Sequence, residues 1–331
     1  MSVARKPDRA EIEAHLIRLK GQTWLGQARA WWPDYLFRFD NIDAVARILN
    51  SGRLLSRVTA MESGAMLRDC ASLDIIASTP EKWKRCARLF FRPRSPTQFN
   101  SEGFRPAGHY TRDAECPIPV VMLFNSLDVL TRADSRFSNG SLAAFAAVGD
   151  TAKFLESIPF DLVYHDTSFK PEDRDTIIFH RQAEVVVPNE MDLSALRFIG
   201  CRTQAEYETL VYLLDARAKK TWASKIGLST KANLHYRRWT FVEDVKLTKE
   251  RLQIHFNPST ALAKPFRLRI EIREVATEKI YSLERDDYTA NGDLTVTLGR
   301  LQHPEDYILE VTLDGRLAYS NRYHEEEDIP F

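Results

Sequence analysis

The sequence LFRFDNIDAVARILNSGRLL, residues 36–55, joins a strand-like segment to a helix-like one. Aromatic side chains dominate residues 35–39 and favour a β-strand. Residues 41–50 carry apolar side chains at helical spacing, namely Ile42, Val45, Ile48 and Leu49. We therefore expect an amphipathic helix there, ended by Gly52, because glycine readily takes the left-handed conformation that closes many helices. This segment predicts a domain in which helices and strands are mixed.

The same mixed pattern extends over about the first two thirds of the chain. Residues 8–30 place apolar side chains at helical spacing among charged ones, which predicts an amphipathic helix. Two β-branched runs, IPVVML at 118–123 and EVVV at 184–187, predict buried strands. Further helices are predicted at residues 142–155 and 206–220.

From about residue 235 the pattern changes to strict alternation of apolar and polar residues. Four alternating runs begin at Leu252, Phe266, Leu294 and Tyr307. The pairs Asn291-Gly292 and Asp314-Gly315 are typical of hairpin turns. We therefore predict an α+β chain that has a small all-β sandwich at residues 235–331. Residues 219–233 are the predicted linker.

The composition is that of an ordinary globular protein of 331 residues, which favours two domains. Its 46 basic residues balance 46 acidic ones, so any nucleic-acid contact must come from uneven placement of charge. The four cysteines lack the spacing of metal ligands, which predicts a reduced protein without a metal site. No signal-like segment or apolar run of about 18 residues is present, so we expect a cytoplasmic location and no membrane partner.

Positive charge is concentrated in KWKRCARLFFRPRSPTQFNSEGFRPAGHYTR, residues 82–112. Eight of these residues are Lys or Arg, six are aromatic, and Glu102 is the one acid. Cations neutralise phosphates and planar rings stack on unpaired bases, so the mixture is typical of proteins that bind single-stranded nucleic acid. The alternative is a solvated basic face beside aromatic residues of the core.

Three segments in fixed order carry a family resemblance. They are residues 36–55, the run FFRPRSP at 90–96 and the run RQAEVVV at 181–187. Together they resemble the DarT family of bacterial toxins, which transfer ADP-ribose from NAD onto a base of single-stranded DNA. The resemblance covers residues 35–215. It implies an ADP-ribosyltransferase-like mixed α/β domain at residues 1–230. The all-β region at 235–331 has no obvious counterpart in the family's minimal form, and we predict that it is an accessory β-sandwich for nucleic-acid or partner binding, with a module that covers an open sheet edge as the alternative.

The resemblance makes Glu184 the catalytic carboxylate. Departure of nicotinamide leaves a ribose cation, and a nearby carboxylate can bind a ribose hydroxyl and offset that positive charge. The alternative is a strand-end carboxylate that faces water. Arg68 is the candidate second catalytic residue, with an exposed helix residue as its alternative. Arg38 is assigned to NAD, and its alternative is an ion pair with Asp34 or Asp40.

The remaining site predictions form two groups. The residues expected to bind NAD are Arg38, Phe39, Asp40, Asn41, Leu55 and Arg68. The residues expected to bind DNA are Lys84, Arg85, Phe91, Arg92, Arg94 and Asn139, and Phe99 or Phe104 are further candidates for stacking on bases. The chain departs from the family pattern at Asn41 and Ser141, where a histidine is usual, and at Phe90, where a tyrosine can stand.

The resemblance therefore implies an NAD-dependent enzyme that needs no metal and modifies single-stranded DNA. Thymidine is the implied acceptor, and guanosine or RNA acceptors stay open because of these departures. It also implies a toxin that is paired with a macrodomain antitoxin and serves in phage defence. Two alternatives are a binding module without catalysis and an ADP-ribosyltransferase that acts on RNA or protein.

Overall fold

The computed structural model describes residues 4–65, 70–105, 114–258 and 265–325. The helices are α1 Arg9–Lys20, α2 Ile42–Ser51, α3 Arg57–Glu62, α4 Leu73–Ser78, α5 Glu81–Lys84, α6 Pro96–Ser101, α7 Ser126–Leu130, α8 Ala152–Glu156, α9 Phe160–Val163, α10 Arg174–His180, α11 Gln204–Leu213 and α12 Ala216–Trp222. The strands up to residue 228 are β1 Tyr35–Asn41, β2 Arg53–Leu55, β3 Cys86–Phe90, β4 Pro119–Asn125, β5 Arg136–Ser138, β6 Val148–Gly149, β7 Glu184–Pro188, β8 Glu190–Asp192, β9 Leu196–Cys201 and β10 Ile226–Leu228. Those that follow are β11 Val242–Leu247, β12 Arg251–Phe256, β13 Phe266–Glu274, β14 Ile280–Tyr288, β15 Gly292–Thr297, β16 Asp306–Leu313 and β17 Arg316–His324.

Within the described ranges, the largest sheet has eight strands in the order β10-β9-β4-β1-β3-β7-β5-β6. Strands β9 and β10 are parallel, and the other neighbouring pairs are antiparallel. The register places Phe90 opposite Phe37 of β1 on one side and opposite Glu184 of β7 on the other. The middle of the sheet therefore brings together segments that lie far apart in sequence.

Several sequence predictions for this part are confirmed. Strand β1 and helix α2 lie where the opening segment predicts them, and Gly52 takes the left-handed conformation with a φ of 73°. The run at 184–187 falls within β7, and the run at 118–123 falls within β4 apart from Ile118, which precedes it; both strands are buried apart from their C-terminal residues. Because β-branched side chains suit strands covered on both faces, these short runs predicted their elements correctly.

Four predicted boundaries are wrong. The helix expected over 8–30 ends at Lys20, and residues 142–155 form a 3-10 turn at Leu142–Ala144, strand β6 and helix α8. Residues 206–220 are divided between α11 and α12, because the side chain of Asp215 accepts a hydrogen bond from the N–H of Ala218 and starts a new helix. The expected linker at 219–233 instead contains strand β10, which joins the large sheet.

The C-terminal region confirms the predicted all-β sandwich. It contains a three-stranded sheet in the order β11-β12-β15 and a four-stranded sheet in the order β14-β13-β16-β17. Residues Asp314 and Gly315 have φ values of 50° and 71°, as a two-residue hairpin turn with left-handed positions requires. The region packs on α11, where Tyr319 Oη donates to Glu208 Oε2 at 2.9 Å and the N–H of Ser320 donates to Thr209 Oγ1 at 3.1 Å.

Over the parts of the chain that the structure describes, no helix is long and apolar enough to cross a membrane.

Candidate active site

A cleft of about 460 Å³ opens beside the middle of the large sheet. Its walls come from β1, β2, β3, α2, α3 and the start of β7, together with residues 70–79. This volume lies within the range typical of small-molecule sites. The cleft therefore forms where the central strands meet the connections that follow β1 and β2.

Glu184 lies in the wall of the cleft and is 2% exposed. It is the first residue of β7, and its N–H donates to Ser138 Oγ at 3.0 Å. Its two carboxylate oxygens accept from Arg88, Oε2 from Nε and Oε1 from Nη2, each at 2.5 Å. A buried carboxylate needs such a partner, and the bidentate pair fixes the orientation of both groups. The strand-end alternative, a carboxylate facing water, does not describe this residue.

Sequence reasoning missed Arg88. The residue lies on β3 two positions before Phe90, so both side chains point to the same face, and both line the cleft. A single arginine in the otherwise apolar strand CARLF was the available signal. The contact of this arginine with Glu184 could not be inferred from the sequence, because it depends on the register that places β3 beside β7.

Arg38 lines the cleft and is also paired with Asp40. The distances are 2.6 Å from Nε to Oδ2 and 2.9 Å from Nη2 to Oδ1, and Nη1 donates to the carbonyl of Arg88 at 3.3 Å. Burial lowers the pKa of Arg38, but the adjacent Asp40 carboxylate outweighs this effect and holds the pKa above its ordinary value. Arg38 therefore lies in the cleft and also forms the ion pair with Asp40 that was its alternative.

The rest of the cleft combines an apolar wall with excess positive charge. Phe39 and Phe90 are stacked with ring centroids 6.4 Å apart, and Leu55 lies in the same lining. Among the described residues, six cationic side chains and two carboxylates line the cleft. The cations are Arg38, Arg47, Arg53, Arg57, Lys84 and Arg88. This surplus of cations suits an anionic ligand such as a pyrophosphate.

Arg57 is a second cleft residue that sequence reasoning missed. Burial lowers its pKa, and the charge of Arg88 nearby lowers it further. The candidate that the sequence offered, Arg68, lies outside the described residues. Asn41 is absent from the cleft lining: its Nδ2 donates to Asp43 Oδ1 at 2.6 Å and its Oδ1 accepts from the N–H of Ile118 at 3.1 Å. Asn41 therefore lies just before α2 and outside the cleft lining, and its assignment to NAD stays a prediction.

Three aromatic and cationic residues predicted to bind DNA are buried instead. Phe91 and Phe104 are each 1% exposed, and the ring of Phe91 packs edge-on against Phe160. Arg92 is 2% exposed, pairs with Asp166 at 2.9 Å and donates to the carbonyl of His165. A ring or guanidinium that is buried in this way cannot contact a DNA strand bound at the surface. The concentration of charge in the sequence did not reveal which side chains face inward.

The other predicted DNA contacts lie in different surroundings. Lys84 lines the cleft, 3.5 Å from Glu81, while Arg85 is exposed. Arg94 is partly exposed, with a φ of 52° and an ion pair to Asp166 at 2.5 Å. Asn139 Oδ1 accepts from the N–H of Ala147 at 3.1 Å, which is a turn-forming contact. The ring of Phe99 is 41% exposed and remains open to a partner.

Within the described ranges, no three His, Cys, Asp or Glu side chains are grouped so that they could hold a metal ion.

Comparison with known proteins identifies a family for the region that forms this cleft. A family model described as ssDNA thymidine ADP-ribosyltransferase, DarT, matches residues 37–228. No protein with a curated description matches the sequence. The chain is similar to the solved structure of Thermus sp. 2.9 DarT in complex with ADP-ribosylated ssDNA, with 14% identity, 62% of this chain and 97% of that chain covered, and a TM-score of 0.47.

Two further solved structures are similar. Thermus sp. 2.9 DarT in complex with NAD+ is 15% identical, with 62% of this chain and 98% of that chain covered and a TM-score of 0.44. Thermosipho africanus DarTG in complex with ADP-ribose is 15% identical, with 65% and 54% covered and a TM-score of 0.45. The family match spans more than half of the chain and includes β3, β7 and all but the first two residues of β1. The chain therefore belongs to the DarT family of single-stranded-DNA thymidine ADP-ribosyltransferases.

Proposed function

We propose that Glu184 is the catalytic carboxylate of an NAD-dependent transfer of ADP-ribose to thymidine in single-stranded DNA. The observation that carries this proposal is a buried carboxylate that lines a cleft with surplus positive charge. An ionised group is expensive to bury, so its position in the wall of a cleft favours a functional role. The family assignment indicates the reaction, and the lining of the cleft indicates the residues that we propose for it.

Glu184 acts on the ribose in this proposal. Each carboxylate oxygen can accept two hydrogen bonds, and Arg88 uses one on each. One acceptor position on each oxygen is therefore left for a ribose hydroxyl. As the bond to nicotinamide breaks, the negative charge of Glu184 stabilises the positive charge that develops on the sugar. Arg88 is a positioning residue, because it holds the carboxylate in one orientation.

The cations of the cleft bind the pyrophosphate of NAD in this proposal. Arg38 and Arg57 are the principal candidates, since both are partly buried and line the cleft. A charged hydrogen bond is stronger where water is partly excluded. Phe39, Asp40 and Leu55 complete the NAD surface, and the role of Arg68 remains part of the proposal from the family resemblance.

The test is a Glu184→Gln variant incubated with labelled NAD and single-stranded oligonucleotides that contain or lack thymidine. Glutamine keeps the size of the side chain and removes its charge. We expect kcat for DNA labelling to fall by at least about 10²-fold, the usual effect of losing one electrostatic group that stabilises a transition state. Oligonucleotide affinity should change little. If the variant labels DNA at the rate of the wild type, the role of Glu184 is wrong.

The same assay separates the other acceptors and the binding-only alternative. Labelling of oligonucleotides that carry guanosine but no thymidine would show that guanosine is an acceptor, and labelling of RNA would show that RNA is one. Label that survives nuclease treatment would indicate a protein acceptor. A wild-type protein that binds DNA and never consumes NAD would support a binding module without catalysis.

We further propose that the chain is a cytoplasmic toxin, paired with a macrodomain antitoxin and used in phage defence, as the family resemblance implies. Residues 1–230 are the proposed catalytic domain and residues 235–331 the proposed accessory sandwich. Expression in bacteria should stop growth, the Glu184→Gln variant should not, and a co-expressed macrodomain that removes the modification should restore growth.

A further inference from the structure

Cations and rings alternate along a surface that begins beside the catalytic strands. Arg238 Cζ lies 4.6 Å from the ring centroid of Phe99, whose centroid is 5.1 Å from that of Tyr236. Arg94 Cζ lies 5.9 Å from the Tyr236 centroid, and Tyr236 Oη donates to the Arg94 carbonyl. We call Arg94, Phe99, Arg181, Tyr236 and Arg238 the arginine–aromatic ridge.

Arg181 extends the ridge toward β7. Its Nη2 contacts His165 Nδ1 at 2.7 Å and donates to the carbonyl of Thr167 at 3.2 Å, and its Cζ lies 5.0 Å from the Phe169 centroid. Arg181 and Arg92 both contact His165, and the next residue, Asp166, pairs with Arg94 at 2.5 Å, so Arg181 lies beside Arg94. The partners of Arg181 are thus neutral groups and a ring.

The ridge carries more positive charge than its partners neutralise. Asp166 is the carboxylate that pairs with both Arg92 and Arg94. Across the part of the chain that the structure describes, neither Arg181 nor Arg238 forms an ion pair, and the Nε atoms of Arg94 and Arg181 are buried without a hydrogen-bond partner.

This crowding of cations also affects their protonation. Burial lowers the pKa of Arg92 to about 10, and the charge of Arg181 contributes to that decrease. Burial likewise lowers the pKa of Arg181, with Arg94 adding to the effect. An anion bound at the ridge would relieve this repulsion, because a negative charge favours the protonated form of each guanidinium.

The ridge begins where the catalytic cleft ends. The N–H of Phe91 donates to the carbonyl of Ala183 at 3.2 Å, directly beside the paired residues Phe90 and Glu184. Gln182 lines the cleft, and Arg181 of the ridge directly precedes it in the sequence. A strand that leaves the cleft at this end would therefore pass onto the ridge.

Part of the ridge comes from a segment beyond residues 37–228, the range matched by the family model. Tyr236 and Arg238 lie between the catalytic region and the sandwich. This segment is fixed by Glu102, whose oxygens accept from the N–H groups of Tyr236 at 3.0 Å and Arg237 at 2.8 Å. The ridge thus combines family segments with residues that this chain adds.

We propose that the ridge binds the acceptor DNA strand next to the target base, with Arg94, Arg181 and Arg238 on its phosphates and Phe99 stacked on an unpaired base. Guanidinium groups form charged hydrogen bonds with phosphates, and an exposed ring can stack on a base of any sequence. The proposal rests on the proposed function, because it assigns the strand that carries the acceptor.

The test compares Arg238→Gln and Phe99→Ala with a control variant, Arg300→Gln. Arg300 is an exposed arginine in the loop after β15 and lies outside both the cleft and the ridge. Affinity for a fluorescent single-stranded oligonucleotide is measured by anisotropy at several salt concentrations. We expect Arg238→Gln to reduce the slope of log K against log salt by about 0.7, the value for one phosphate contact on a single strand. Phe99→Ala should weaken binding by about tenfold without changing that slope, since stacking carries no charge.

Steady-state labelling gives an independent readout. Loss of a strand contact should raise the KM for the oligonucleotide more than it lowers kcat. The proposal is overturned if both ridge variants bind DNA like the wild type, or if Arg300→Gln loses as much affinity and salt slope as Arg238→Gln. Failure of the proposed function is distinguishable, because the wild-type protein would then label no thymidine oligonucleotide whatever the affinities of the variants.

Discussion

Arg88 is the residue whose role is most open to a direct test. It contacts both oxygens of Glu184 through a planar fork, and this geometry cannot be reproduced by a lysine, which carries one compact charged group. Arg88→Met should lower kcat by about 10²-fold, because misplacing a catalytic group by about 1 Å has an effect of that size. Arg88→Lys should restore part of the loss. The KM for NAD should change much less than kcat.

Two measurements separate positioning from a purely structural role. The unfolding midpoint in urea reports whether Arg88→Met destabilises the fold, since breaking a buried ion pair commonly costs about 3–5 kcal/mol. Labelling is then assayed well below the temperature at which the variant unfolds. A variant that stays folded and labels DNA with the kcat of the wild type would show that Arg88 does not orient Glu184.

At this scale the sequence singled out one half of the Glu184–Arg88 pair that lines the cleft. Glu184 was found because it lies in a short recognisable segment, Gln182-Ala183-Glu184. Arg88 was missed because its partner is 96 residues away and depends on the register of β3 with β7. Arg92 was predicted to bind DNA because it lies in a run of charged residues. Such a run does not show which side chains face inward, and in the structure Arg92 is buried and paired with Asp166.

The end of α2 provides a prediction at the scale of one element. Gly52 has a φ of 73°, and a Cβ built there would meet no atom within 4 Å. Gly52→Ala therefore introduces backbone strain without a steric clash. We expect the free energy of unfolding to fall by about 1 kcal/mol, because L-residues pay about that amount in the left-handed region. Gly52→Asn should lower the free energy of unfolding by less, since asparagine tolerates this conformation better than alanine.

Urea unfolding of the two variants checks this expectation. The matched control is Gly21→Ala, because Gly21 follows α1 with a φ of −84°, in the right-handed region. If Gly52→Ala is as stable as the wild type, the left-handed position does not limit the stability of this turn.

Element prediction succeeded where one local signal dominated. Residues 41–50 combine helical spacing with a terminal glycine, and residues 118–123 are continuously apolar with three β-branched side chains, so propensity and burial agree. Residues 206–220 were predicted as one helix because their apolar spacing continues across the break. The capping side chain of Asp215 outweighed that spacing and started α12. Side chains that cap a helix are visible in the sequence, but their effect depends on the direction that packing gives the chain.

At the scale of the molecule, a buried polar cluster connects the region matched by the family model to the segment that leads into the sandwich. Arg202 Nε donates to Glu206 Oε1 at 2.9 Å, and its Nη1 lies 3.4 Å from Glu102 Oε1. Burial raises the pKa of Glu102, but Arg202 and neighbouring donors outweigh it and leave the pKa below its ordinary value. Burial raises the pKa of Glu206 above its ordinary value, even though Arg202 opposes this.

No sequence pattern predicted this cluster. Glu102 and Tyr236 are 134 positions apart, and the sequence predicts a linker at residues 219–233. The hairpins of the sandwich were predictable because alternation and turn residues are local signals. Its attachment was not, because attachment depends on buried charges that find partners only when the chain is folded.

His235 lies within this junction and predicts how the molecule responds to acid. It is 5% exposed, and its Nε2 is 3.0 Å from the carbonyl of Pro119, which can only accept, so Nε2 carries the proton. Nδ1 is then an acceptor and lies 2.9 Å from Ser229 Oγ, which also lies 3.0 Å from the carbonyl of Cys201. Burial lowers the pKa of His235 to about 4. The folded protein therefore holds this ring neutral at pH values where the unfolded chain already binds a proton.

The sign of the pH dependence follows from that difference. Between pH 6.5 and 4 the unfolded state binds the extra proton, so the contribution of His235 to stability is complete above pH 6.5 and is lost as the pH falls toward 4. A shift of this size corresponds to about 3 kcal/mol. We expect the free energy of unfolding in urea to decrease over this range, and a His235→Gln variant to show a weaker decrease. The control is His180→Gln, which removes a histidine from outside the junction, where the ring contacts the carbonyl of Asn139. If His235→Gln loses stability with falling pH as steeply as the wild type, the acid sensitivity of the junction arises from the carboxylates of the cluster and His235 has no part in it.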